Sequence, residues 1–169
     1  MTLHPTATRL WKHLPPDERL RAATSFFANT PAELAAIALG TLAKARHMRP
    51  QAARKLPPEA QARILASTLE PGEPLAQGLL VALHLSERRP LLAAFLDALG
   101  LPHEEGLLKE EAESAPAITE DAARHAVGAL STFPREHVLT YLNTLVLQDP
   151  ERWAALEHAA EWVEAGTPG

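Results

Sequence analysis

The amino-acid sequence predicts an all-α protein of about eight to ten short helices, arranged as stacked helical hairpins, an irregular bundle or a short HEAT-like array. Three observations carry this. No stretch alternates apolar and polar residues over the length of a strand. Fifteen prolines against eight glycines stand mostly at the heads of apolar stretches, where the first helical turn tolerates them. The run 75–99 is apolar enough to form the centre of a helical core. In Leu75–Leu85 only Gln77 and His84 are polar, so that helix should be covered on nearly all sides. Pro90 then interrupts the chain, and Leu91, Leu92, Phe95, Leu96 and Leu99 share one face before Gly100. Together these read as a buried helical hairpin.

The remaining elements follow in order. Thr8–Lys12 forms a short helix with Trp11 as its anchor. Pro15-Pro16-Asp17-Glu18 opens the next, whose inner face is Leu20, Ala23, Thr24 and Phe27. Thr30-Pro31-Ala32-Glu33 has the form of a capping box, leading to Leu34, Ile37, Ala38, Leu42 and Ala45 at helical spacing. Gly40 costs that helix about 1 kcal/mol, which a closely passing helix would explain. A helix from Pro58 to Leu69 turns Ile64 and Leu65 inward, and Glu70–Pro74 is a turn. Residues 101–111 read as a short acidic helix, and 114–117 as the most linker-like piece. Thr119 caps a helix with Ala122, Ala123, Ala126, Val127 and Leu130 inward, and Pro134 begins one with Val138, Leu139, Leu142, Leu145 and Val146 inward. Asp149-Pro150-Glu151 starts the last, lined by Trp153, Leu156, Ala160 and Val163 and stopped by Gly166.

Four apolar-Pro-x-acid starts, at Leu14, Leu56, Leu101 and Phe133, fall 42, 45 and 32 residues apart, near the period of paired-helix repeats. The same tetrapeptide also marks any proline-led helix start, so an irregular bundle with similar caps is the preferred explanation. The length suits a single domain, 1–169, with a weak subdivision near 114–118.

Composition narrows function by exclusion. With 46% hydrophobic and 22% charged residues, the chain resembles an ordinary globular domain. The absence of cysteine excludes disulfides, thiol catalysis and thiolate metal sites, and agrees with a cytoplasmic protein. The N-terminus has no signal-peptide pattern, and no apolar run reaches the roughly 20 residues needed to cross a bilayer. No G-x-S-x-G, glycine-rich phosphate loop, H-E-x-x-H or Glu-x-x-His occurs. The expectation is therefore no catalytic residue, cofactor or metal. Two histidine–carboxylate groups, His103-Glu104-Glu105 and Glu157-His158 with Glu161, read as surface residues.

Charge gives the functional reading. Residues 1–89 carry 12 Lys/Arg and 7 Asp/Glu, whereas 90–169 carry 4 and 14. The candidate partner-binding residues are Lys44, Arg46, His47, Arg49, Arg54, Lys55 and Arg63. His84 and Asp97 are candidate buried polar residues that could satisfy each other across the hairpin. These features point to a non-catalytic protein-interaction module or adaptor for an acidic protein partner, with no membrane contact. A nucleic-acid binder using 44–63 is the alternative, although that segment has no aromatic residue for stacking and the chain is acidic, with pI near 5.9. A metal- or histidine-dependent enzyme ranks third. Self-association through the oppositely charged halves is a further option.

Overall fold

The computed structural model describes residues 5–110 and 116–165, without the side chains of 164 and 165. Ten α-helices and one 3₁₀ turn are present among the described residues. They are α1 (Ala7–His13), α2 (Pro16–Asn29), α3 (Ala32–Ala45), α4 (Pro50–Arg54), α5 (Pro58–Ser67), α6 (Glu73–Glu87), α7 (Arg89–Leu99), α8 (Glu120–Gly128), α9 (Arg135–Gln148) and α10 (Ala159–Ala165), with the 3₁₀ turn at Ala154–Leu156. The chain is all-α and helix packs on helix. It divides into two compact units, Thr6–Ser86 and the residues from Glu87 onward. The division falls at the last turn of α6, inside the stretch that the sequence makes central.

In the first unit α2 and α5 form the main pair. Arg19, in the first turn of α2, donates from Nε to the Ala66 carbonyl at the end of α5, 2.9 Å away, so the two helices run antiparallel. Trp11 is fully buried and donates its indole N–H to the Thr68 carbonyl at 2.9 Å. Glu73 fixes the other end of α1, accepting from the backbone N–H groups of Ala7 (2.9 Å) and Thr8 (3.0 Å). These are donors that a helix N-terminus otherwise leaves without a partner.

Several expected faces are corrected by a residue or so. α2 buries Ala22, Ala23 and Phe26, while Leu20 and Thr24 are exposed. α3 buries Ala38, Leu42 and Ala43, leaving Ile37 half exposed and Ala45 exposed. The capping box does not form. Pro31 is extended (φ −57°, ψ 150°) and serves as N-cap itself, with no side-chain hydrogen bond. The close-approach glycine is Gly78, not Gly40. A β-carbon at Gly78 would stand 2.9 Å from Leu34 Cδ2 and 3.2 Å from Phe26 Cε2, whereas one at Gly40 would meet nothing within 4 Å among the described residues beyond its own stretch of helix.

In the second unit, α7 buries Leu91, Leu92, Phe95 and Leu96. Gly100 ends it in the left-handed region (φ 71°), as its position in the sequence implies. Glu111 lies outside the described residues, and over residues 101–109 the expected acidic helix is instead a small antiparallel hairpin, β1 (His103–Glu104) with β2 (Leu107–Leu108). Its two-residue loop, Glu105-Gly106, has positive φ at both positions (49° and 89°), matching the right-handed strand twist. Gly106 is also sterically required, since a β-carbon there would lie 2.6 Å from Leu92 Cβ. The third apolar-Pro-x-acid tetrapeptide thus leads into a strand, while the other three lead into α2, α5 and α9.

Thr119 caps α8 as expected, its hydroxyl accepting from Ala122 N–H at 3.1 Å. α9 buries Tyr141 besides the expected Val138, Leu142 and Leu145. Phe95 meets Tyr141 edge-on (5.6 Å, 89°) and Trp153 at a tilt (5.8 Å, 43°), forming the aromatic centre of this unit. The expected last helix is split into the 3₁₀ turn and α10. Trp153, Leu156 and Ala160 are buried as expected, with Ala159 beside them, although the chain between them is not one continuous α-helix. Gly166, and Ser114 and Ala115 of the linker-like stretch, lie outside the described residues.

Candidate functional site, a cationic corner at the end of α3

The residues that build this corner are apolar. Leu42, Ala43 and Ala53 form a buried cluster, with Phe27, Met48, Leu56 and Ile64 packed against it. α3 stops there by local chemistry. His47 takes a left-handed conformation (φ 53°), its N–H reaches the Lys44 carbonyl (3.3 Å), and Met48 N–H reaches the Ala43 carbonyl (2.9 Å). This is the Schellman pattern, in which the residue beyond the left-handed position folds back onto the helix. Met48 accordingly packs on the cluster. Arg49 then caps α4, with Pro50 at its first position. Ala53 turns inward, and Gln61 of α5 donates its amide to the Ala53 carbonyl at 3.0 Å.

The cations are what this framework leaves outside. Lys44 ends α3, Arg46 and His47 occupy the turn, Arg49, Arg54 and Lys55 flank α4, and Arg63 stands on α5 beside Ile64. All seven side chains are exposed. None of the six lysines and arginines forms an ion pair within 4 Å among the described residues. Within 44–63 the acidic residue is Glu59 alone. The corner therefore presents full positive charge with arginine forks able to bind carboxylates through two parallel hydrogen bonds. The charge division found in the sequence follows the structural one. Residues 6–86 carry 10 Lys/Arg and 6 Asp/Glu, and residues 87–169 carry 6 and 15.

The other candidates separate. His84 is buried in the last turn of α6, at 2% exposure. Asp97 is not buried. Its side chain is 73% exposed, and its Oδ1 lies 2.6 Å from His103 Nε2. Gly106 N–H donates to His103 Nδ1 at 3.1 Å, so Nδ1 carries the lone pair and Nε2 donates to Asp97. The hairpin thus claims Asp97, a partnership hidden from the sequence because it depends on the turn at Glu105-Gly106. His158 Nδ1 is 3.9 Å from Glu161 Oε1 on an exposed surface. Among the described residues no group of three or more His, Asp or Glu side chains is placed to hold a metal ion.

A cleft of about 100 Å³ lies within the second unit, lined mainly by Val127, Leu130, Phe133, Val138 and Trp162, with Arg135 and Ser131 among its polar residues. Arg124 lies over the ring of Trp162, one of the lining residues, at 5.2 Å in a cation–π contact. No described helix is long and apolar enough to cross a membrane. No family model matches the chain, and neither a curated protein nor a solved structure does.

Proposed function

We propose that the protein is a non-catalytic interaction module, acting in the cytoplasm, that binds an acidic protein partner through the cationic corner. The observation that carries this reading is the cluster of exposed lysines and arginines at 44–63, held on a packed framework with no carboxylate of the described residues within ion-pair distance. Cations kept apart from internal partners leave their hydrogen-bonding capacity for an external anion. Exposed charges steer encounter and set specificity more than they add affinity. The binding is accordingly weakened by salt on the scale of a Debye length, about 8 Å at physiological ionic strength.

The test compares the wild-type chain with a triple charge reversal, Arg46→Glu, Arg49→Glu and Arg54→Glu, in pull-downs from native lysate at low salt with nuclease controls. A near-stoichiometric, nuclease-resistant protein that the triple variant fails to recover is the expected result. Equal recovery by both proteins sinks the proposal. Recovery that disappears with nuclease transfers the site to nucleic acid.

A further inference from the structure

We infer that the outer face of α3 seats an acidic amphipathic helix of the partner, antiparallel to α3, with its acid-rich first turns over Lys44 and Arg46. This rests on the acidic partner proposed above and names the element of it that docks.

At 3.6 residues per turn, Glu33, Ala36, Ile37, Gly40 and Lys44 fall on one stripe of α3. All five are exposed, while Ala38 and Leu42 on the opposite side are buried. Ile37 is 50% exposed, a large β-branched side chain with half its surface left in water. Gly40 is stranger still. It sits inside a 14-residue helix, where glycine costs about 1 kcal/mol relative to alanine. Its backbone is not left-handed, and beyond its chain neighbours and its own helix backbone no atom of the described residues stands within 4 Å of where its β-carbon would be. Gly78 shows what an internal reason looks like, since Leu34 and Phe26 fill its space. A local rule broken without compensation inside the chain points to a contact outside it.

The geometry suits a helix. Ala36 and Gly40, one turn apart, allow a second backbone to come close. Ile37 beside them gives the apolar ridge that interleaves with anchors spaced three and four residues apart. Charge then decides the occupant and its direction. Lys44 closes the stripe at its C-terminal end, and Arg46 and Arg49 continue the positive surface from there. The negative end of the α3 dipole lies at the same place. An antiparallel helix brings its own positive end there, together with the carboxylates that favour a helix N-terminus. A nucleic-acid backbone would use the cations but has no use for Ile37 and Gly40.

The experiment uses the full chain and a labelled synthetic helix of about 20 residues, with leucines every third and fourth position and glutamates in its first two turns. Fluorescence anisotropy is read for this peptide, for a scrambled peptide of the same composition, and for one with the glutamates moved to the last two turns. Gly40→Leu fills the seat while raising helix propensity, and Ile37→Asp removes the ridge at an exposed position, so both variants keep the fold, checked by thermal melting. The designed helix should bind, with the scrambled peptide and both variants weaker by about tenfold or more. Equal binding to the scrambled peptide, unchanged binding by Gly40→Leu and Ile37→Asp, or no binding of the designed helix overturns the seat. Equal binding of the peptide with relocated glutamates overturns the antiparallel direction. Lys44→Glu with Arg46→Glu separates the two readings. If that pair weakens binding while the α3 variants do not, the acidic partner stands and the helix seat falls. If it changes nothing, the acidic-partner reading falls.

Discussion

His47 ends α3 in a conformation that costs a side-chain-bearing residue roughly 1 kcal/mol, where glycine is the usual occupant. His47→Gly should therefore raise stability to urea by up to about 1 kcal/mol, without altering the packing of Met48. An unchanged or lower midpoint would show that the imidazole itself contributes to the corner. Glycines give the complementary test, because each answers to different surroundings. Gly106→Ala combines a positive φ with a contact against Leu92 and should cost about 1–3 kcal/mol. Gly78→Ala presses on Leu34 and Phe26 and should also destabilise. Gly40→Ala meets open space and should stabilise by about 0.5–1 kcal/mol. Denaturant midpoints for the three variants check this order, and a destabilised Gly40→Ala would contradict the open face of α3.

Among the elements, α1 depends most on one distant side chain. Partial desolvation tends to raise the Glu73 pKa, but hydrogen bonds from Thr8, Ala7 and Thr6 outweigh it and hold the carboxyl below its ordinary value of 4.5. A carboxyl depressed in the folded state contributes stability that is present above the unfolded pKa and lost as pH falls through the folded one. Hydrogen exchange at the Ala7 and Thr8 amides should accordingly be faster in Glu73→Gln than in wild type at neutral pH. The difference should shrink as pH drops from 4.5 downward. A difference that persists in strong acid would mean that the carboxylate charge is not what holds α1.

Much of the element order was legible because proline punctuates it. Pro16, Pro58 and Pro134 stand at helix starts, and Thr119 and Gly100 cap where their chemistry allows. The hairpin at 103–108 was not legible, because its strands are two residues long and too short for alternation to register. Ile37 was misplaced because α3 is apolar on almost every side, so periodicity could not select the inward stripe. The cationic residues were legible as a charge run. What the sequence could not supply was that these cations form no ion pair among the described residues, which depends on where carboxylates such as Glu33 and Glu59 stand.

Across the molecule, the charge boundary and the structural boundary nearly coincide. The excess of carboxylates from Glu87 onward and the excess of cations in Thr6–Ser86 belong to separately packed bodies. The second of these bodies depends on a small aromatic group. Phe95→Ala removes the ring shared by Tyr141 and Trp153 and should cost about 3–5 kcal/mol. Chemical denaturation followed by tryptophan emission checks this, and a loss under 1 kcal/mol would show that the cavity collapses. Burial raises the Tyr141 phenol above its ordinary ionisation range.

Met48 gives the cationic corner a chemical vulnerability. The chain's two methionines are Met1 and Met48, and Met48 is only partly buried where it packs on the cluster of Leu42, Ala43 and Ala53. Peroxide would convert it to a sulfoxide, placing a polar S–O group against an apolar cluster. The turn carrying Arg46, His47 and Arg49 would lose its inner anchor without any change in its charge. An oxidant could thus disarm the surface while leaving every cation in place, and a methionine sulfoxide reductase could restore it.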